Sequence, residues 1–244
     1  MRYVGHLGLT CLIGVLSPVA RADISAEIAQ ASTPISEGVP EVAVARLQSL
    51  LNKDLPEPQW RAVAEKLAEA QVAANEPEAT LVLLTDARLR DLAWAKFWRA
   101  QALASLHRWA DALPLYEELS NDVSPLQRAA VFGAGDALRA LGKRQEALKK
   151  FMPLMHDKEW GTPAQLRAAE LYLESGNAPE ARRLLEQLQP ASVAERRERR
   201  VLRGRLELIS QRPERAIGMF EAILKRPEGT PHPMLLAALF GIAD

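Results

Sequence analysis

Cysteine is nearly absent from this chain. The one cysteine in 244 residues is Cys11, inside an apolar stretch close to the N-terminus, so no disulfide framework can be built. A lipidated cysteine would follow an aliphatic residue three places earlier and a small one directly before it, but Gly8 and Thr10 stand there. Aromatic residues are sparse at 5%, and no stretch alternates apolar and polar residues in the manner of a strand. Neither charge sign is in excess: Lys plus Arg and Asp plus Glu are 31 each. Nothing in that balance draws the chain to nucleic acid or to an anionic membrane surface, and protein partners are expected instead.

The residue groupings of catalysis are missing as well. The four histidines are His6, His107, His156 and His232, with no H-E-x-x-H and no paired ligand spacing, so neither a metal nor another cofactor is expected. No G-x-S-x-G occurs. Gly133-Ala-Gly135 lies inside a helical pattern, where close packing explains the glycines better than a phosphate loop does. Glu117-Glu118 reads as a solvated helix face. The chain is expected not to be an enzyme.

No apolar run is long enough to span a membrane. Met1-Arg2 is a short basic start, Leu7 to Leu16 is apolar, and Ala20-Arg21-Ala22 is an A-x-A cleavage pattern. The apolar part is about half of the roughly 20 residues a span requires. Residues 1–22 therefore read as a cleaved export leader with the mature chain starting at Asp23. No membrane span remains after cleavage, and the destination is the periplasm or the exterior. Removing Arg2 and Arg21 leaves 29 basic against 31 acidic residues, a net charge of −2.

What the chain has in abundance is Ala, Leu, Glu and Arg in helical patterns, and these repeat. Taking Ala147 in Gly142-Lys-Arg-Gln-Glu-Ala147-Leu-Lys-Lys-Phe151 as an anchor, equivalent alanines stand at Ala43, Ala79, Ala112, Ala181 and Ala216, at intervals of 36, 33, 35, 34 and 35. A period in that range means stacked supersecondary units. Five residues before the anchors come Gly38, Ala74, His107, Gly142, Gly176 and Gln211, where glycine suits a left-handed helix end. Twelve before come Ala31, Leu67, Ala100, Gly135, Ala169 and Gly204, mostly small, which lets a first helix approach a second closely. Four after come Leu47, Leu83, Tyr116, Phe151, Leu185 and Phe220, large enough to fill the space. Seven after, Leu50, Leu119, Leu154, Leu188 and Ile223 extend that face, with Asp86 the exception. Helix starts are expected as capping boxes at Ser124–Gln127, Thr162–Gln165 and Ser192–Glu195, and as Asn-led starts at Asn75 and Asn177.

This pattern resembles the tetratricopeptide repeat, a helix–turn–helix unit of about 34 residues. The family's early tryptophan is missing and its terminal proline irregular. The resemblance implies an all-α fold, a right-handed α-α superhelix, or solenoid, of tandem helix-turn-helix repeats. Residues 23–39 are expected as a short N-terminal cap ending at Pro34, residues 40–229 as the tandem repeats, and residues 230–244 as the unfinished first helix of a further repeat. That last segment, from Met234 onward almost wholly apolar, is expected to be covered by more sequence or by self-association.

The resemblance also implies a concave groove lined by one flank of each first helix. With Ala100 set at zero, facing the second helix, Trp94, Trp98 and Gln101 fall between about +100° and +160°. One repeat on, the same flank carries Phe132, Asp136 and Arg139, and the next carries Leu166, Glu170 and Leu173. Aromatic anchors with charges of both signs suit a peptide groove. Trp94, Trp98, Gln101, Phe132, Asp136, Arg139 and Glu170 are the candidate contacts, with core packing as the alternative for the two tryptophans. One further cluster stands out, Glu195-Arg-Arg-Glu-Arg-Arg200 with Arg203 and Arg205, which reads as a solvated helix with Glu195 and Arg199 paired, or as a dock for an acidic partner peptide or an anionic polymer. The expected function is a non-catalytic protein-binding scaffold of the bacterial envelope or exterior. The alternatives are the helical arm of a larger envelope enzyme, similar to that of soluble lytic transglycosylases, or a structural homo-oligomer.

Overall fold

A computed structural model describes residues 19–225, with side chains from residue 24 onward. Among these residues there are twelve α-helices and no strand. The described residues form two compact units, divided after Ala74. The leader expected over 1–22 lies largely outside the described residues, as do Cys11 and the segment 230–244.

The first unit holds α1 (Val19–Ser36), α2 (Pro40–Leu51) and α3 (Glu57–Ala73), each packed on the other two. Helix α1 does not stop at Pro34. It runs to Ser36, because a proline one turn from the end sacrifices only one backbone hydrogen bond. The helix then closes with Val39 N–H on the Pro34 carbonyl at 3.0 Å and Gly38 N–H on that of Ile35 at 3.3 Å. The expected cap is thus largely helical, as part of an 18-residue helix that begins at Val19, within the stretch read as the leader, and it buries Ile24 and Ala31.

The second unit continues with α4 (Pro77–Leu83), a 3₁₀ turn at Ala87–Leu89, α5 (Ala93–Ser105), α6 (Trp109–Asn121), α7 (Gln127–Ala140) and α8 (Arg144–Phe151). After a second 3₁₀ turn at Met152–Leu154 come α9 (Gly161–Glu174), α10 (Ala178–Gln187), α11 (Val193–Ile209) and α12 (Pro213–Leu224). Each helix packs chiefly on its neighbours in sequence, and the odd-numbered helices α5, α7, α9 and α11 also contact one another in succession or meet through the intervening helix.

The repeat register holds with one correction. Ala43, Ala112, Ala147, Ala181 and Ala216 are all completely buried, but in the second repeat the completely buried residue is Thr80, while Ala79 is partly exposed. Moving the anchor to Thr80 makes the first two intervals less even, 37 and 32, but mends the side-chain pattern at three places. The small residue becomes Ala68, the large one becomes Leu84, both buried, and the turn residue becomes Asn75. All six turn residues then have positive φ: Gly38, Asn75, His107, Gly142, Gly176 and Gln211, between 55° and 79°. In five of the turns the next residue's N–H reaches back five positions, as Arg108 does to Leu103 at 2.9 Å, and the turn residue's own N–H reaches back three, as His107 does to Ala104 at 2.9 Å. This paired closure satisfies two carbonyls that a helix end would otherwise leave open.

Two of the three expected capping boxes do not form. Ser192 and Glu195 make theirs in full. Helix α7 instead starts only at Gln127, and Gln127 donates to the Ser120 carbonyl at 3.2 Å. The turn that leads into helix α9 is held by Asp157, whose Oδ1 accepts from Glu159 N–H at 2.9 Å and Trp160 N–H at 3.0 Å, while Gln165 donates to the Met155 carbonyl. Asn177 accepts from Glu180 N–H as expected, whereas Asn75 serves as a left-handed turn residue and not as a cap.

The close approach inside a pair is made by glycine against an aromatic ring. A Cβ at Gly135 would stand 2.6 Å from the ring of Phe151, and one at Gly204 would run into Phe220. Gly133 makes a similar approach between pairs, where a Cβ would stand 2.6 Å from the ring of Tyr116 on α6. The two glycines of Gly133-Ala-Gly135 are therefore packing residues.

Candidate functional site

The candidate residues lie on three consecutive odd-numbered helices of the second unit, α5, α7 and α9. Helix α5 presents Trp94, Trp98 and Gln101. Trp98 meets Phe97 edge-on at 5.2 Å and packs on the cluster of Phe97, Ala100, Leu103 and Tyr116, so one face of its indole belongs to the core. Trp94 is partly exposed and makes no hydrogen bond or ring contact among the described residues. Gln101 is held by Tyr116, whose hydroxyl donates to Gln101 Oε1 at 2.8 Å. Burial, and secondarily the Asp136 carboxylate, push the Tyr116 phenol well above its usual range, so it remains a donor.

On α7, Phe132 lies against Phe151 at 5.3 Å and Trp160 at 5.1 Å. Its ring is part of a packed aromatic group beside Leu138 and Leu154. Asp136, Arg139 and Glu170 are brought together with Arg167, which sequence inspection had not singled out, and with Glu198 and Arg205 of the charge cluster. Arg167 of α9 links Asp136 of α7 at 3.2 Å to Glu198 of α11. Beside it, Glu170 of α9 links Arg139 of α7 to Arg205 of α11, each at 3.3 Å. These are two rungs of opposite polarity, acid–base–acid and base–acid–base, spanning the same three helices. Longer couplings within single helices tie them together, Arg139 to Asp136 at 3.8 Å and Arg167 to Glu170 at 3.9 Å. Glu174 extends the second rung to Arg144 at 3.4 Å.

The side chains in these rungs are mostly between a fifth and a third exposed, so their interaction is less screened than that of surface pairs. Burial raises the Asp136 carboxyl above its usual value, although Arg167 and Arg139 pull the other way. Burial also opposes the charge on Arg167, but Asp136, Glu198 and Glu170 together outweigh it and hold the guanidinium more firmly protonated. The charges are thus largely satisfied within the protein, and each rung leaves free lone pairs or N–H groups toward solvent. Among the described residues no group of three or more His, Cys, Asp or Glu side chains could hold a metal ion, and no helix is long and apolar enough to cross a membrane. What the surface offers is recognition: a partly exposed indole, a fixed amide, and a patterned ionic strip.

Comparison with known proteins bears on the fold. A tetratricopeptide-repeat family model matches residues 163–189, the pair α9–α10. No curated protein matches the sequence. Among solved structures, a tetratricopeptide repeat protein from Parabacteroides merdae ATCC 43184 superposes with a TM-score of 0.53 at 17% identity, covering 91% of this chain and all of that one. MamA AMB-1 superposes with a TM-score of 0.47 at 20% identity, covering 71% of this chain and 96% of that one. The chain has the all-helical fold of a tetratricopeptide-repeat protein, and its α9–α10 pair matches the repeat in sequence.

Proposed function

We propose that the protein is a non-catalytic scaffold that binds a segment of a partner protein along the flank of α5, α7 and α9. The observation that carries this reading is the alignment of Trp94, Gln101 and the Asp136–Arg139–Glu170 ion pairs along successive odd-numbered helices. An aromatic anchor with accessible surface stands beside polar groups of fixed orientation, which is the composition of a binding hot spot with a polar rim. The ionic rungs act by keeping the strip rigid, so that little ordering remains to be done on binding. Envelope or extracellular residence is part of the proposal and is supported by the basic start, apolar stretch and A-x-A pattern of residues 1–22.

Capture from envelope extract on the purified chain, with mass spectrometry of what is retained, tests the reading. Trp94→Ala is expected to weaken capture by about tenfold or more and to lower the melting temperature less than Trp98→Ala does, because Trp94 is partly exposed whereas the Trp98 ring lies on the core cluster. Trp98→Ala is expected to lower both, since its ring lies on the core. If Trp94→Ala leaves capture intact while Trp98→Ala reduces only stability, the strip is not the binding surface. N-terminal sequencing of the exported chain checks the location, and a start other than Asp23 would count against the leader as drawn.

A further inference from the structure

The ion-pair rungs occupy one flank of α11. The opposite flank carries Arg196, Arg199, Arg200 and Arg203, spaced i, i+3, i+4 and i+7, which places them on a single face about 10 Å long. With Met219 of α12 they line a concavity of about 150 Å³. We propose that this face is a docking site for an acidic peptide segment of a partner protein.

Three observations lead there. The first concerns counter-charge. The helix supplies three acids, Glu195, Glu198 and Glu207, and all are committed elsewhere, Glu207 to Arg182 and Arg212 at 3.6 Å each. Glu195 Oε2 accepts from Ala191 N–H at 2.8 Å and Ser192 N–H at 2.9 Å in the capping box, so the expected Glu195–Arg199 pair does not form. Glu198 points to the other flank, onto Arg167. Arg196 and Arg199 donate only to the backbone carbonyls of Ala191 and Leu188, at 2.9 and 2.8 Å. Arg200 and Arg203 are exposed and have no acidic partner among the described residues.

The second concerns packing. Counting back five and one residues from the small residue gives Ala130 and Ala134 in α7, and Ala164 and Ala168 in α9, all completely buried, while in α5 the second place holds Arg99, which donates to the Leu84 carbonyl. In α11 the same two places hold Arg199 and Arg203. Helices α7 and α9 fill both places with alanine and no other first helix of the second unit has a cation at both, and four guanidiniums on one face repel one another. An acidic ligand would relieve that repulsion.

The third concerns the kind of anion. The whole chain balances 31 basic against 31 acidic residues, so it lacks the broad positive field that gathers phosphate polymers. The face has the length of two helical turns, a match for two or three carboxylates on a peptide, and guanidinium forks bind carboxylates with two parallel hydrogen bonds. Met219 adds an apolar floor for a neighbouring side chain of the same peptide.

The experiment is fluorescence anisotropy with the full purified chain and a short labelled peptide of Glu and Leu. The same peptide with Gln for Glu is the control, and inorganic polyphosphate is the competitor. The Glu peptide is expected to bind and the Gln peptide not. The double variant Arg200→Glu/Arg203→Glu is expected to weaken binding by at least about tenfold at unchanged helix content, while Trp94→Ala leaves it unaltered. Should the charge reversal disturb folding, Arg200→Gln/Arg203→Gln is measured in its place, with the same direction expected. Absence of binding, equal binding of the Gln peptide, or an unaffected arginine variant would each overturn the proposal. Polyphosphate binding more tightly than the peptide at equal charge would overturn the peptide as occupant.

Discussion

Gly135 in α7 and Gly218 in α12 are both glycines inside helices, where alanine would ordinarily be preferred by about 0.5–1 kcal/mol. Their surroundings reverse the sign at one of them. A Cβ at Gly135 would overlap the completely buried ring of Phe151, whereas one at Gly218 meets nothing within 4 Å among the described residues. Gly135→Ala is therefore expected to destabilise by about 1–3 kcal/mol, and Gly218→Ala to stabilise by about 0.5–1 kcal/mol. Denaturant titration of the two variants checks both, and equal effects would mean that the glycine–ring contact does not govern the pair. Residues of this kind were legible in the sequence, because small and large side chains recur at fixed distances from an alanine. Thr80 was not. A threonine is small enough for the anchor position, and its hydroxyl is satisfied within its own helix by the Glu76 carbonyl at 3.3 Å. A search for alanine therefore settles on Ala79, one residue early. Asn75, tolerant of the left-handed conformation, was the signal that could have corrected it.

Helix starts show how far local chemistry can be read. Ser192 and Glu195 make the box that their spacing promises, but the Ser-x-x-Gln and Thr-x-x-Gln spacings at Ser124 and Thr162 do not. In both of those the glutamine is drawn to a carbonyl at the end of the preceding helical segment, Ser120 and Met155, a tertiary partner that adjacent sequence cannot reveal. The turn that leads into α9 is held by Asp157, whose backbone hydrogen bonds from Trp160 and Glu159 hold its carboxyl below the usual value, with Arg128 contributing at 3.0 Å. A carboxyl depressed in the folded state contributes stability above its unfolded pKa and loses it as pH falls through the folded value. Asp157→Ala is expected to lower the melting temperature at neutral pH, and the gap from the parent protein is expected to narrow on acidification below the ordinary Asp range. A gap that stays constant with pH would show that the carboxylate does not hold the turn.

Across the molecule, the ionic rungs were the part of the candidate surface least available to sequence inspection. Asp136, Arg167 and Glu198 stand one after, two before and six before the small residue of their respective helices. The rung slips back by about one turn at each repeat, so a comparison at constant register passes over it. Arg167 is the joint, contacting Asp136, Glu170 and Glu198. Arg167→Met would leave the acids of its rung without their shared cation, and is expected to destabilise by about 1–3 kcal/mol. Hydrogen exchange should quicken in α7, α9 and α11 and remain unchanged in α1–α3, because repeats communicate through their neighbours. Uniform quickening along the chain would contradict that locality.

The habit of packing on sequence neighbours also bears on how quickly the native state is reached. Helical proteins of low contact order fold in microseconds to milliseconds, because little loop-closure entropy is lost before contacts form. Each pair here is closed by a turn in which one left-handed residue suffices, so a pair can be completed as soon as its second helix leaves the ribosome, while later ones are still unmade. A chain built this way has a short lifetime as an open polymer. If residues 1–22 direct it through a narrow translocation pore, a holdase or a pore coupled to synthesis has to act sooner than it would for a slow-folding β-protein of the same size.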